Sequence, residues 1–274
     1  MSATKDILLV DDYDVNRIIA SKHLESVGYR VDVAVDGSEA IAAIAAKRYD
    51  LVLMDIEMPV LDGWECTRKI RILENEDSSS EAVRVPIIAM SGHVLESDTQ
   101  RYRRAGMDDC LAKPVERAPL LAIVEKWLDH RTQSDSAACS QAPGDFNRSG
   151  SNPAPVDMEK AIDEFLGDRD MVVRLLGEFI RRGEAQMTTI ENALGTDDFE
   201  KVRLEAHALK GGAANLTAYS LADSCAGMET AAETAGHGHE GQLSDRFTKL
   251  QNEFERLKVF FNAGPKPTDR AGVS

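Results

Sequence analysis

Glu205-Ala206-His207-Ala208-Leu209-Lys210-Gly211-Gly212-Ala213-Ala214-Asn215-Leu216 reads as part of one helix. Phe199, Val202, Ala206, Leu209, Ala213 and Leu216 recur at spacings of three and four and make an apolar stripe. Arg203, His207, Lys210 and Ala214 form a second stripe, about 100° around the axis. The spacing sets His207 beside the buried face, with Lys210 one turn later on the same side. Gly211, four residues after the histidine, leaves no side chain in front of the ring. A glycine mid-helix costs roughly 1 kcal/mol relative to alanine, and two stand together here. Close approach of another molecule to the imidazole accounts for them.

Phosphoryl transfer through histidine needs this layout. A neutral imidazole is a good nucleophile near neutral pH, and Lys210 can offset the charge that the phosphorylated ring gains. The plain alternative is a partly buried structural histidine. His207-Ala208-Leu209-Lys210-Gly211 tips the reading the other way, because it resembles the histidine-containing phosphotransfer (HPt) domain of bacterial phosphorelays. That resemblance implies an up-down four-helix bundle with His207 as phosphoacceptor.

The surrounding sequence is helical from Val156 onward. A lead helix is expected over 158–166 and longer ones over 170–194, 197–216, 221–234 and 242–261. Gly195-Thr196-Asp197 and Asn215-Leu216-Thr217 give short turns, so neighbouring helices should run antiparallel. His237-Gly238-His239 lies in a Gly-rich loop and reads as solvated rather than metal-binding. Residues 265–274 read as a disordered tail. Before the bundle, 131–155 is rich in Ser, Ala, Pro, Gly and Gln and reads as a flexible linker, with a coil span of about 25–30 Å.

Residues 1–130 alternate strand and helix. Ile7-Leu8-Leu9-Val10 ends in Asp11-Asp12. Helix follows from Asn16 to Val27, a strand through Val31, Val33 and Val35, and a helix from Ser38 to Ala46. Leu51-Val52-Leu53-Met54 is the third strand, with Asp55 at its end. A loop through Met58-Pro59 and Asp62-Gly63 leads to a third helix through Ile70, and 75–82 reads as a surface loop. Val85 to Met90 is the fourth strand, followed by Ser91. A helix over 96–105, the strand Cys110-Leu111-Ala112 and a helix to Leu128 complete the unit. Five βα units with near-continuous apolar strands predict a doubly wound parallel sheet. Working groups in such sheets gather outside the strand carboxyl ends, where Asp11, Asp12, Asp55, Ser91 and Lys113 all fall.

Asp55 is the candidate nucleophile, since a carboxylate can take a phosphoryl group as an acyl phosphate. Three crowded carboxylates repel by roughly 4 kcal/mol per pair at about 4 Å and an effective dielectric of 20. A dication and Lys113 would relieve this, and an oxygen-only site suits Mg²⁺. Ser91 can donate a hydroxyl hydrogen bond to phosphoryl oxygens. Taken singly, each residue has a plain alternative: Asp12 or Asp14 as a helix cap, Asp55 as a strand end, Lys113 as a surface charge. Met54-Asp55-Ile56-Glu57-Met58-Pro59 and Leu111-Ala112-Lys113-Pro114 resemble the receiver domain of two-component response regulators. The resemblance implies Asp55 as phosphoacceptor, and Asp11, Asp12 and the Glu57 backbone carbonyl at the Mg²⁺ site. It also implies Ser91 and Lys113 as phosphoryl contacts, and a cis Lys113–Pro114 bond. Many receivers place Tyr or Phe three residues before this lysine; Cys110 stands there here, which suits a domain that passes phosphate on.

Composition narrows the class. Of 274 residues, 43% are apolar and the net charge is −15. Residues 1–130 carry 16 basic and 24 acidic side chains (16 − 24 = −8), and 156–274 carry 14 and 21 (14 − 21 = −7). Neither half has the basic excess of a nucleic-acid binder. No apolar run approaches a membrane span and the N-terminus has no signal-peptide anatomy, so a cytoplasmic protein is expected. Cys66, Cys110, Cys139 and Cys225 are scattered, and reduced thiols are expected.

The reading is a phosphorelay protein: receiver 1–130, linker 131–155, HPt bundle 156–264. Nothing in it resembles a kinase ATP-binding domain, so its chemistry is self-directed phosphotransfer. The partners expected are a histidine kinase or hybrid kinase and other receiver or HPt proteins. The alternative is a phosphorylation-gated binding module whose domains serve separate partners.

Overall fold

The computed structural model describes residues 4–76, 84–92, 96–129, 154–235 and 240–264. Linker residues 131–153, the tail, His93, His237 and His239 lie outside them. The chain divides into two compact units, Met1–Arg148 and Ser149–Ser274.

The first unit is a five-stranded parallel sheet flanked by helices. Its order is β1 (Asp6–Val10), α1 (Asp14–Glu25), β2 (Arg30–Ala34), α2 (Gly37–Ala46), β3 (Leu51–Asp55) and α3 (Gly63–Glu76). It continues with β4 (Ile87–Ser91), α4 (Glu96–Ala105), β5 (Asp109–Ala112) and α5 (Arg117–Asp129). The strands lie in the order β2-β1-β3-β4-β5, with Leu9 level with Leu53 and Leu53 with Ile88. Strand residues alternate between two faces, and both are covered. Leu8, Val10, Val52, Met54, Ile87 and Ala89 enter one apolar core. Ile7, Leu9, Leu51, Leu53, Ile88 and Met90 enter the other. Burial on both faces is why these strands read as unbroken apolar runs. The edge strand β2 is the exception: Arg30, Asp32 and Val33 are exposed. Its charges blunt a row of backbone groups that would otherwise invite pairing.

The third helix runs past Ile70 to Glu76, so Asn75 and Glu76 are helical rather than loop. Arg71 holds this extension: its guanidinium donates to the Gly106 and Val85 carbonyls and to Glu74 and Asp108. Local polarity in 71–76 concealed these long-range bonds. The expectation of reduced thiols holds for Cys66 and Cys225, which are free and buried. It fails for Cys110, which is disulfide-bonded. Spacing alone does not reveal which cysteines pair.

The second unit is helical: α6 (Met158–Glu164), α7 (Arg169–Leu194), α8 (Phe199–Asn215), α9 (Tyr219–Thr234) and α10 (Glu240–Asn262). Contacts between α7 and α8, α8 and α9, α9 and α10, and α10 and α7 close a four-helix ring, with α6 leaning on α7. The expected α8 stripe faces the core: Val202, Ala206, Leu209, Ala213 and Leu216 are fully buried. Asp157, Asp168 and Asp198 cap α6, α7 and α8, each accepting from the backbone N–H three residues on. That satisfies a donor the helix leaves open. Gly183 lets α7 and α10 approach; a Cβ there would lie 2.4 Å from Phe254.

Candidate functional site

In the first unit the strand order reverses direction between β1 and β3, the switch point where open α/β sheets bind ligands. β1 delivers Asp11 there and β3 delivers Asp55. Both carboxylates are buried, at 1% and 2% exposure. Asp12 lies beside them, and one oxygen from each of the three lies within 4.8 Å of the others. Lys113, just past β5, completes the pocket with its Nζ 2.7 Å from Asp55 Oδ2 and 2.9 Å from Asp11 Oδ2. Ser91 closes β4, and its carbonyl accepts from the Lys113 N–H at 2.7 Å. The Lys113–Pro114 bond is cis.

The loop after Asp55 folds tightly onto it. The Glu57 N–H points at Asp55 Oδ1 at 3.3 Å, and Gly63 N–H donates to the Ile56 carbonyl at 3.0 Å. A Cβ on Gly63 would sit 2.1 Å from the Asp55 carbonyl oxygen, so only glycine fits this approach.

Burial pushes the Asp55 carboxyl up to about 7; Lys113 pulls against it, and Asp11 and Asp12 add to the rise. Burial alone would pull Lys113 down, but Asp11 and Asp55 outweigh it and raise its pKa. Two buried carboxylates thus share one ammonium, with a third carboxylate alongside. An all-oxygen set with surplus negative charge fits a hard dication such as Mg²⁺.

Sequence reasoning missed two neighbours of Asp11. Asn16 on α1 donates its amide to both Asp11 carboxylate oxygens at 3.2 Å, and Arg17 Nη1 donates to the Asp11 carbonyl at 2.6 Å. The α1 N-cap is Tyr13, without a side-chain cap bond, and Asp14 accepts from the Val15 N–H at 2.8 Å.

In the second unit, α8 and α9 bring His207, Lys210 and Glu229 together. His207 Nδ1 lies 2.7 Å from Glu229 Oε1, and Lys210 Nζ donates to Glu229 Oε2 at 2.5 Å. His207 is itself buried rather than beside the buried face. Burial pushes the Glu229 carboxyl up, but bonding to His207 and the Lys210 charge outweigh this and hold it near 2. Glu229 was illegible beforehand, since its partner lies 22 residues away on another helix.

A doubly wound domain with a lysine-bridged carboxylate centre is followed by a helical bundle with a buried histidine–glutamate–lysine cluster. The chain matches the response regulator receiver domain family over residues 7–125 and the Hpt domain family over 174–259. It therefore joins a receiver domain to an Hpt domain. It is 40% identical over 127 residues to Two-component system protein A of Emericella nidulans, covering 45% of this chain and 17% of that protein. It is 29% identical over 212 residues to the aerobic respiration control sensor protein ArcB of Escherichia coli, covering 77% of this chain and 26% of ArcB. The chain thus spans about a quarter or less of these relatives' length. Among solved structures, the receiver domain of sensor histidine kinase PA1611 from Pseudomonas aeruginosa is 42% identical. It covers 46% of this chain and 99% of that one, at a TM-score of 0.41, and holds a magnesium ion in its active-site cleft. Among the described residues no helix is long and apolar enough to cross a membrane.

Proposed function

We propose that this chain is a phosphorelay intermediate in which Asp55 and His207 each accept and pass on a phosphoryl group. The observation that carries the reading is the presence, in one chain, of a carboxylate centre bridged by Lys113 and a histidine oriented by Glu229. At the receiver, an Asp55 oxygen attacks phosphorus, forming an acyl phosphate. The donor's P–N bond breaks and its electron pair returns to the imidazole nitrogen. In this reading Lys113 and Ser91 hold the equatorial oxygens, where charge accumulates. Asp11, Asp12, Asp55 and the Glu57 carbonyl would hold Mg²⁺, which supplies further charge neutralisation when bound.

At the bundle, Glu229 is ionised and can only accept, so the proton sits on Nδ1 of His207. That leaves the lone pair on Nε2 as nucleophile, and Glu229 steadies the positive ring that forms on attack. The aspartyl P–O bond breaks with its pair going to the departing carboxylate. Lys210, bonded to Glu229, stands one turn from the ring to balance the new charge.

The donors fitting this chemistry are histidine kinases or hybrid kinases, and the acceptors other receiver or HPt proteins. The ArcB likeness, which spans 77% of this chain, supports that setting. No DNA-binding role is proposed, because the chain is acidic.

The test labels His207 from a phosphorylated donor receiver, removes the donor and adds Mg²⁺. In the intact chain, label should move to Asp55 or disappear faster than in the Asp55→Asn chain, at a rate independent of protein concentration. Equal rates in the two chains would replace this reading with two domains serving separate partners.

A further inference from the structure

We infer that Asn16 is a positioning residue for the cation pocket. It holds the Asp11 carboxylate in the orientation a dication needs without neutralising it. This rests on the proposed Mg²⁺ site.

Asn16 is the third residue of α1, where its short polar side chain is a poor helix former. It is also 5% exposed, an unfavourable place for an amide that does not bond well. What it gains there is specific. Its Nδ2 lies 3.2 Å from Asp11 Oδ1 and 3.2 Å from Oδ2, straddling the carboxylate. Two carboxylate oxygens can face only the N–H₂ end of the amide, so its orientation follows from chemistry.

The Asp11 group has three further tethers. Tyr13 N–H donates to Oδ1 at 2.9 Å, Lys113 Nζ lies 2.9 Å from Oδ2, and Arg17 donates to the main-chain carbonyl at 2.6 Å. Of the two side chains on the carboxylate, Lys113 also serves Asp55 at 2.7 Å. When a phosphoryl group draws Lys113 toward Asp55, Asn16 and the Tyr13 N–H are what keep Asp11 in place.

The choice of an amide is informative. A lysine or arginine at position 16 would fix Asp11 equally well, but its charge would cancel the field that attracts a dication. An amide orients the carboxylate through a dipole and leaves the charge. Partners that orient ligand groups in this way typically alter metal affinity by 10–100-fold when removed.

The experiment follows thermal unfolding of the full chain by tryptophan fluorescence against Mg²⁺ concentration, with an EDTA series as baseline. Both tryptophans, Trp64 and Trp127, lie in the receiver unit. Wild type should be stabilised by Mg²⁺, and Asp12→Asn should abolish the stabilisation. Asn16→Ala and Asn16→Leu should each need about tenfold more Mg²⁺ for the same rise in midpoint. The leucine variant keeps bulk, so it separates lost packing from lost hydrogen bonds. If both variants respond at the wild-type Mg²⁺ concentration, even with lower midpoints in EDTA, Asn16 is merely structural and the inference falls. If wild type shows no Asp12-dependent stabilisation, the Mg²⁺ site itself falls and takes the inference with it.

Discussion

His23 shows how one buried side chain ties the receiver's stability to pH. It lies on the inner face of α1 at 1% exposure, and α1 packs on α5. Burial, with the Arg117 charge adding to it, pushes its pKa from 6.5 down to about 4. Above pH 6.5 folded and unfolded chains both keep the ring neutral, so its contribution is intact. Between 6.5 and 4 the unfolded chain takes up a proton that the fold refuses, and stability is lost as pH falls. At pH 5 the loss should be about 2 kcal/mol, from 1.36 kcal/mol per unit over the interval below 6.5. Urea unfolding followed by tryptophan fluorescence at pH 7 and pH 5 measures it. His23→Leu should remove most of the difference. An unchanged pH dependence would mean that other groups set it. Nothing in the sequence distinguished this histidine, because its setting is made by a helix about 100 residues away.

At the scale of the element, the bundle depends on two kinds of position that look alike in the sequence. Gly183 and Gly195 both belong to α7 or its end. A methyl at Gly183 would meet the buried Phe254 ring at 2.4 Å and 2.6 Å, whereas at Gly195 the nearest atom, the Asn192 carbonyl, is 3.4 Å away. Gly183→Ala should therefore destabilise the bundle by about 1–3 kcal/mol through overpacking. Gly195→Ala should change it by less than about 1 kcal/mol. Chemical denaturation followed by far-UV circular dichroism compares them, and equal effects would contradict the close α7–α10 approach. The α8 stripe was legible because period and burial agree along one helix. The meaning of Gly183 was not, because it depends on which residue of α10 lies opposite.

At the scale of the whole molecule, the chain divides into two compact units, each with buried apolar residues of its own. Separate cores should unfold in separate transitions. Mg²⁺ should raise only the transition seen by tryptophan fluorescence, by about 2.7 kcal/mol at a hundred times its dissociation constant. The bundle transition should stay where it is in EDTA. A single transition shifted as a whole would show that the units unfold as one.

By itself, the sequence determined the parallel sheet, the helical bundle and the acceptor candidates. These rest on local periodicity, on strands buried on both faces, and on carboxylates placed at strand ends. Tertiary structure decided how each site is wired. Only folding sets Asn16 against Asp11, Glu229 against His207 and Arg71 against Asp108. The Asp11 partner comes from the next helix, that of His207 from another helix 22 residues away, and that of Arg71 from the loop before β5, 37 residues away. Polar residues of this kind carry no periodic signal, and their roles follow from what the packed chain sets within hydrogen-bond distance.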